Sequence, residues 1–207
     1  MNPHLDDWLE SQPTSLLKSK RKMMKFLKQS YGICVGNFAN KPRTDITTQD
    51  GTFSFHMGSP LPDLRQISSW MLTHSPNQRK LAKLIPSLWK RHGREDVSMA
   101  GLFLANLSLE DLAQDPWMAF IHLLQTKEPL SAVLEVAEEI VRGGHSSPSD
   151  EWLVAASEQS PHWHQYCVLF LSLRKVQTVA SRRLASTAPK GGELFERIRE
   201  RLLVSEH

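Results

Sequence analysis

Apolar residues recur every three to four positions along most of this chain, which is the spacing of one face of an α-helix. One such stripe consists of five residues: Leu81, Leu84, Ile85, Leu88 and Trp89. Gly93 stands where that helix is expected to end. Pro86 lies inside the stripe, so the helix either kinks there or begins later than the spacing indicates.

Capping residues divide most of the remaining chain into further helices. Predicted starts fall at Ser108, Asp115, Pro129, Ser149 or Asp150, and Pro161, and a last helix follows Gly191 and Gly192. Two more helices are predicted near residues 6–11 and 15–30. The connections are short, as in helical pairs that each bury one stripe against the next.

The helical pattern fails between Tyr31 and Phe55, where glycine, asparagine and proline indicate a loop or a short hairpin. The prediction is therefore one all-α domain over residues 1–207, with N-terminal helices in 1–30, an irregular insertion in 31–58 and helical pairs in 59–207. An α–α superhelix and a compact bundle both fit this organisation. No repeat of fixed period is visible.

The composition is that of an ordinary globular protein, with 207 residues of which 40% are hydrophobic and 23% charged. No apolar stretch approaches the roughly 20 residues that a membrane helix needs, and acidic residues precede the first apolar segment. We therefore expect a soluble, cytoplasmic protein without a membrane partner. Cys34 and Cys167 are too few for a disulfide framework and are read as reduced thiols.

The net charge of +3 conceals an uneven distribution along the chain. Residues 1–94 carry +9, residues 95–151 carry −9 and residues 152–207 carry +3. Six basic residues lie within the 11 positions from Lys18 to Lys28. This asymmetry suggests a nucleic-acid or other anionic partner, and the alternative is a solvated helix face neutralised by an acidic neighbour.

Three segments resemble a known family. They are His56–Ile67 (HMGSPLPDLRQI), with its glycine, proline and Leu-Arg-x-Ile; Leu88–Asp96 (LWKRHGRED); and Ala155–Phe170, in which Trp163 opens an apolar helix. Together they resemble the DNA alkylation repair family, which are alkylpurine DNA glycosylases built from HEAT-like helical repeats. The resemblance spans residues 56–175, a little over half of the chain.

The resemblance implies an α–α superhelix whose basic concave surface binds duplex DNA and whose activity is hydrolysis of the N-glycosidic bond of alkylated purines. The family places an aspartate shortly after a tryptophan, and Trp117 is the positional match. No carboxylate follows Trp117, while Asp115 precedes it and is typical of a helix cap. Asp150 or Glu151, beside Trp152, are the alternative charge stabilisers, and no catalytic residue is assigned.

The residues predicted to contact nucleic acid are Lys80, Lys83, Lys90, Arg91, Arg94, Trp117, Trp163, Tyr166, Arg174 and Lys175. Arg182 and Arg183 are further candidates for phosphate contacts. Tyr166 stands where the family has an arginine. The alternative interpretation is a solvated surface for the cations and core packing for the aromatic rings.

Three histidines, His145, His162 and His164, lack a carboxylate at ligand spacing, so neither a metal site nor a cofactor is predicted. Two functions remain open. The first is a DNA-binding HEAT-like protein related to alkylpurine glycosylases, with excision of alkylated purines as its activity if it is an enzyme. The second is a non-enzymatic helical scaffold that binds protein partners.

Overall fold

The computed structural model describes residues 2–36, 43–48, 51–125 and 128–204, and these ranges are predominantly helical. The predicted all-α class is confirmed. The N-terminal part consists of α1 (Pro3–Glu10), a 3-10 helix (Thr14–Lys18) and α2 (Lys20–Cys34). The helix α2 continues past residue 30 because Tyr31 extends its buried stripe, which includes Met23, Phe26 and Leu27.

Part of the segment predicted to be irregular is a β-hairpin. Strands β1 (Arg43–Thr48) and β2 (Gly51–His56) pair antiparallel, with residue 43 opposite His56 and residue 46 opposite Phe53. The backbone N–H of Ser54 also donates to the carbonyl of His92 at 2.8 Å, which holds β2 against the helices. Of the two alternatives, the hairpin is confirmed for these strands, and residues 37–42 and 49–50 lie outside the described part of the chain.

Seven helices follow the hairpin up to residue 142 in the described ranges. They are α3 (Leu61–His74), α4 (Gln78–Ala82), α5 (Ile85–Arg91), α6 (Arg94–Asn106), α7 (Leu109–Leu112), α8 (Pro116–Leu123) and α9 (Leu130–Arg142). The stripe that begins at Leu81 is split between α4 and α5. Pro86 is the second residue of α5, where the backbone N–H that proline lacks would have no partner within the helix.

The C-terminal part consists of α10 (Asp150–Ser157), α11 (Pro161–Ser172), α12 (Val179–Thr187) and α13 (Glu193–Val204). Ser149, rather than Asp150, caps α10, because its hydroxyl accepts from the N–H of Trp152 at 3.3 Å. The caps predicted at Ser108 and Asp115 are confirmed, since both side chains accept from backbone N–H groups of their helices.

Helix α6 lies at the centre of the core. It is buried from Glu95 to Ala105 and packs against α3, α5 and α9, and α9 in turn packs against α11. Gly101 permits the close approach of α6 to α9, because a Cβ there would lie 2.9 Å from a methyl group of Val136. Within the described ranges, no helix is both long and apolar enough to cross a membrane.

The turn between α5 and α6 differs from the sequence prediction. The residue in the left-handed conformation is His92, with φ 55°, and Gly93 is extended with φ −78°. Gly93 is needed for another reason, since a Cβ there would lie 2.0 Å from Cζ of Phe55. The glycine therefore makes room for the hairpin and does not itself end the helix.

Candidate nucleic-acid interface

Helix α2 presents a continuous basic face to solvent. Met23, Phe26 and Leu27 turn inward, whereas Arg21, Lys25 and Lys28 follow the i, i+4, i+7 spacing on the opposite side and are exposed. Lys20 and Lys22 flank this stripe and are exposed as well. Because α2 contains no acidic residue, every charged side chain on this helix is positive.

A hydrogen bond joins this face to the second basic group of the sequence. The ammonium group of Lys80 on α4 donates to the backbone carbonyl of Lys18 at 3.0 Å, just before α2 begins. Eight exposed residues thus form one region, hereafter the basic surface: Lys18, Lys20, Arg21, Lys22, Lys25, Lys28, Lys80 and Lys83. The two clusters are far apart in sequence and adjacent in space.

No carboxylate of the described ranges is paired within 4 Å with a cation of the basic surface. Exposed lysines of this kind are hydrated point charges on flexible stems, which can contact phosphates without a fixed sequence register. The surface therefore presents positive charge that an anionic ligand can reach.

Arg91, one of the predicted contact residues, is paired with a buried carboxylate. Its guanidinium binds both carboxylate oxygens of Asp96, whose Oδ1 also accepts from the Tyr31 hydroxyl at 3.0 Å. It also lies 5.6 Å from the ring centroid of Phe55. Burial raises the pKa of Asp96, and the Arg91 charge and the hydrogen bonds from Arg91 and Tyr31 only partly oppose this. Arg91 is therefore a partly exposed cation paired with a buried carboxylate, and it is not a free phosphate contact.

Arg94 is held between α6 and its neighbours. It donates to the carbonyl of Ser59 at 2.8 Å and to Glu135 on α9 at 3.2 Å. A second arginine, Arg65 on α3, pairs in the same way with Glu139 on α9. The basic first block and the acidic middle block of the sequence therefore interleave across α3, α6 and α9, and their charges largely cancel there.

Arg174 is likewise engaged in an internal network. It donates to the hydroxyl of Ser147 at 2.7 Å, to the carbonyl of Pro148 and to the carboxylate of Asp150. Partial burial alone would raise the pKa of Asp150, but hydrogen bonds from Arg174 and Thr178 and the Arg174 charge outweigh it, so this pKa is lowered. Asp150 is thus tied up in this network, and Glu151 beside it is exposed.

The aromatic residues predicted as stacking platforms are mostly core residues. Trp117 is 2% exposed and packs edge-on against Phe170. Tyr166 is 1% exposed, and its hydroxyl donates to the carbonyl of Gln125 at 2.8 Å. Neither ring offers a face to a base in this conformation. Trp163 is half-buried and edge-on to both Trp152 and Tyr166.

The remaining predicted cations are exposed. Lys80 and Lys83 belong to the basic surface, Lys90 is exposed on α5, and Lys175 lies in the connection from α11 to α12. Arg183 on α12 is exposed too. The structure thus joins two of the ten predicted contacts to the α2 face and leaves Lys90 and Lys175 as separate exposed positions.

The cysteines of the described ranges are wholly or partly buried thiols, and the histidines there form no metal-binding group. Burial raises the pKa of Cys34 and of Cys167 to about 12, so both remain thiols at neutral pH. His164 is engaged with the carbonyl of Leu184 at 2.9 Å. Among the described residues, no group of three histidine, cysteine, aspartate or glutamate side chains is placed to hold a metal ion.

Site prediction from sequence missed the main contributors to this surface. The sequence marks the residues on and just before α2 as a charged cluster, but it does not place them among the predicted contacts. The signal was present, because the segment from Lys18 to Lys28 holds six cations and no acid. No family model, curated protein or solved structure matches the chain.

Proposed function

We propose that this protein binds DNA through the basic surface on α2 and α4. The observation that carries the proposal is the contact of Lys80 with the Lys18 carbonyl, which merges two basic clusters into one region without an opposing carboxylate among the described residues. Neutralising several phosphates at once releases condensed counterions, which is the main source of affinity in binding that is independent of sequence.

The proposal includes a HEAT-like superhelical arrangement related to the DNA alkylation repair glycosylases. Its support is the succession of packed pairs, α5 with α6, α10 with α11 and α12 with α13, and the run of central helices α3, α6 and α9. Action in the cytoplasm is part of the same proposal and agrees with the two free cysteines.

Duplex binding measured across salt concentrations tests the proposal. Fluorescence anisotropy with a labelled 20-base-pair duplex should show tight binding at about 50 mM salt and a steep loss by about 200 mM. The slope of log K against log salt is negative. Replacing Lys22, Lys25 and Lys28 with alanine should reduce its magnitude by about 0.9 for each phosphate that the variant no longer neutralises.

The matched control removes the same charge elsewhere. Alanine at Arg183, Lys190 and Arg197, which are exposed on or near α12 and α13, should leave the salt slope unchanged. Equal losses in both triple variants would show that binding depends on net charge alone and would overturn the assignment to this surface. An absence of binding by the wild-type protein at low salt would overturn the function.

The proposal assigns DNA binding and not excision. Trp117 is buried, and Asp115 accepts from the N–H groups of Trp117 and Met118 at 2.9 and 3.3 Å, which occupies it as a cap. Incubation with methylated duplex DNA should therefore release no 7-methylguanine or 3-methyladenine above background. Release above background would show that the resemblance extends to catalysis.

A second candidate function, the helical scaffold, is favoured by one observation. Val179, the first residue of α12, is 86% exposed, and Val176 in the preceding connection is 74% exposed; Lys175 and Arg183 are exposed nearby. Exposed apolar residues that lie together often mark a protein contact. The scaffold function predicts no DNA binding at low salt. It also predicts a defined complex with a protein partner that the substitution Val179→Asp abolishes.

A further inference from the structure

A pocket opens beside the basic surface, where α4 and α5 face α7 and α8. Its volume is about 610 Å³, and its apolar walls include Ile85, Leu104, Leu112 and Leu123. This volume is within the range of small-molecule sites and exceeds what a single nucleobase requires. Apolar walls of this kind suit a flat ring that has left a base stack.

The pocket and the basic surface share Lys83. Arg79 and Ala82 of α4 and its C-cap residue Lys83 line the pocket, while Lys80 points from the same helix to the Lys18 carbonyl. Lys80 and Lys83 are three residues apart, so their side chains are neighbours along the helix. A nucleic-acid strand whose phosphates contact Lys80 and Lys83 therefore passes the mouth of the pocket.

The polar groups at the pocket are suited to the edge of a base. The side chains of Lys83, Gln114 and His122 are exposed and have no hydrogen-bond or ion-pair partner among the described residues. The Gln114 amide offers both donors and an acceptor, and the Lys83 ammonium offers donors. These groups remain available to a ligand.

The opposite wall is acidic. Glu110 and Asp111 lie on α7, where Glu110 pairs with Arg79 at 2.6 Å and Asp111 accepts from Ser108 at 2.7 Å. Carboxylates repel phosphate, so the backbone of a bound strand stays on the α4 side. They accept hydrogen bonds from the exocyclic amino groups of bases, so the charge pattern directs the base inward and the phosphate outward.

From this arrangement we infer that the α4–α8 pocket accepts one unpaired nucleobase of a DNA strand held on the basic surface. The inference rests on the proposed function and goes beyond it, because it predicts a preference for DNA that contains an unpaired base. In fully paired DNA the base would first have to be unstacked, which opposes its entry into the pocket.

Two duplexes that differ only in one unpaired adenine provide the test. The fluorescent analogue 2-aminopurine replaces that adenine, and affinities are measured by competition at about 100 mM salt. The wild-type protein should bind the bulged duplex about tenfold more tightly than the paired one. The 2-aminopurine fluorescence should change on binding because the base exchanges its stacked neighbours for the pocket.

Two kinds of variant locate the effect. Ala119→Phe fills the pocket, and Met118→Phe, at the neighbouring exposed position of α8, is the matched control. Because Ala119 is packed in the core, the double variant Gln114→Ala with His122→Ala removes the exposed polar groups without a risk to folding. The pocket variants should lose the preference and the fluorescence change, and Met118→Phe should keep both.

The outcomes separate this inference from the proposed function. Salt-dependent binding with equal affinity for the two duplexes, or a preference that the double variant retains, overturns the pocket assignment and leaves DNA binding in place. An absence of binding to either duplex overturns both.

Discussion

The cations of this protein fall into two populations that differ in their partners. Lysines on and around α2 and α4 stand in solvent, whereas Arg65, Arg91, Arg94 and Arg174 each bind a carboxylate. The positive charge of the first population is accessible to a ligand. The positive charge of the second population is paired with carboxylates. Residues of the same charge are thus exposed and without an ion pair in one region and paired with carboxylates in another.

The two side chains suit these tasks for a physical reason. The planar guanidinium forms several hydrogen bonds in fixed directions and is weakly hydrated, so it tolerates burial beside a carboxylate. The ammonium is strongly hydrated and its stem is flexible, which favours adaptable contacts at the surface. The comparison therefore predicts loss of stability when the paired arginines are removed and loss of DNA affinity when the free lysines are removed.

Removal of Arg91 should have the largest effect on stability. Arg91→Ala leaves the buried carboxylate of Asp96 with the Tyr31 hydroxyl and without its cation. The free energy of unfolding should fall by about 3 kcal/mol, at the lower end for a broken buried pair because Arg91 is partly exposed. Urea denaturation followed by circular dichroism measures the loss.

The neighbouring residue supplies the control for this prediction. Lys90→Ala removes an exposed cation from the same helix and should change the free energy of unfolding by less than about 0.5 kcal/mol. Similar losses of unfolding free energy for the two variants would show that the ion pair of Arg91 does not contribute more to stability than an exposed cation does.

Arg174→Ala should have an intermediate effect that depends on pH. We expect a loss of about 1.5 kcal/mol at pH 7, because three hydrogen bonds disappear and Asp150 loses its cation. A lowered folded-state pKa of Asp150 means that its stabilisation is present above the unfolded pKa near 4 and is lost as the pH falls through the folded value.

The difference in stability between wild type and Arg174→Ala should therefore shrink as the pH is lowered from 6 to 2.5. Urea midpoints at several pH values measure it, with Lys175→Ala as the exposed control. A difference that stays constant with pH would show that the Asp150 charge plays no part.

Removal of Arg79 should have the smallest effect. Its pair with Glu110 is exposed, with side chains 58% and 83% accessible. Arg79→Ala should cost about 0.3 kcal/mol, and the cost should vanish in 1 M salt, where surface pairs are screened. A loss above about 1 kcal/mol that persists in high salt would place this pair with the buried ones.

Much of the fold followed from local patterns in the sequence. The helices and the caps at Ser108 and Asp115 could be predicted because a cap is formed by residues within one turn. The sequence could not decide between a loop and a hairpin, because β2 is held by a long-range contact with the His92 carbonyl. The reason why residue 93 is a glycine could not be predicted either, because the side chain that it accommodates, Phe55, belongs to another element.

The candidate site was less predictable for a related reason. Charge type is visible in the sequence, but the pairing of a cation is not, and Arg91, Arg94 and Arg174 look as free as Lys80 until their partners are known. Trp117 and Tyr166 have the chemistry of stacking residues, yet packing buries both. Long-range contacts therefore decided which predicted residues remain available.

Lysine acetylation, with and without duplex DNA, tests the central claim most directly. A limiting dose of an amine-reactive acetylating reagent, followed by peptide mass spectrometry, reports how accessible each lysine is. DNA should protect Lys18, Lys20, Lys22, Lys25, Lys28, Lys80 and Lys83 at low salt, while Lys175 and Lys190 react as before. Protection of Lys175 and Lys190 with none along α2 would contradict the account.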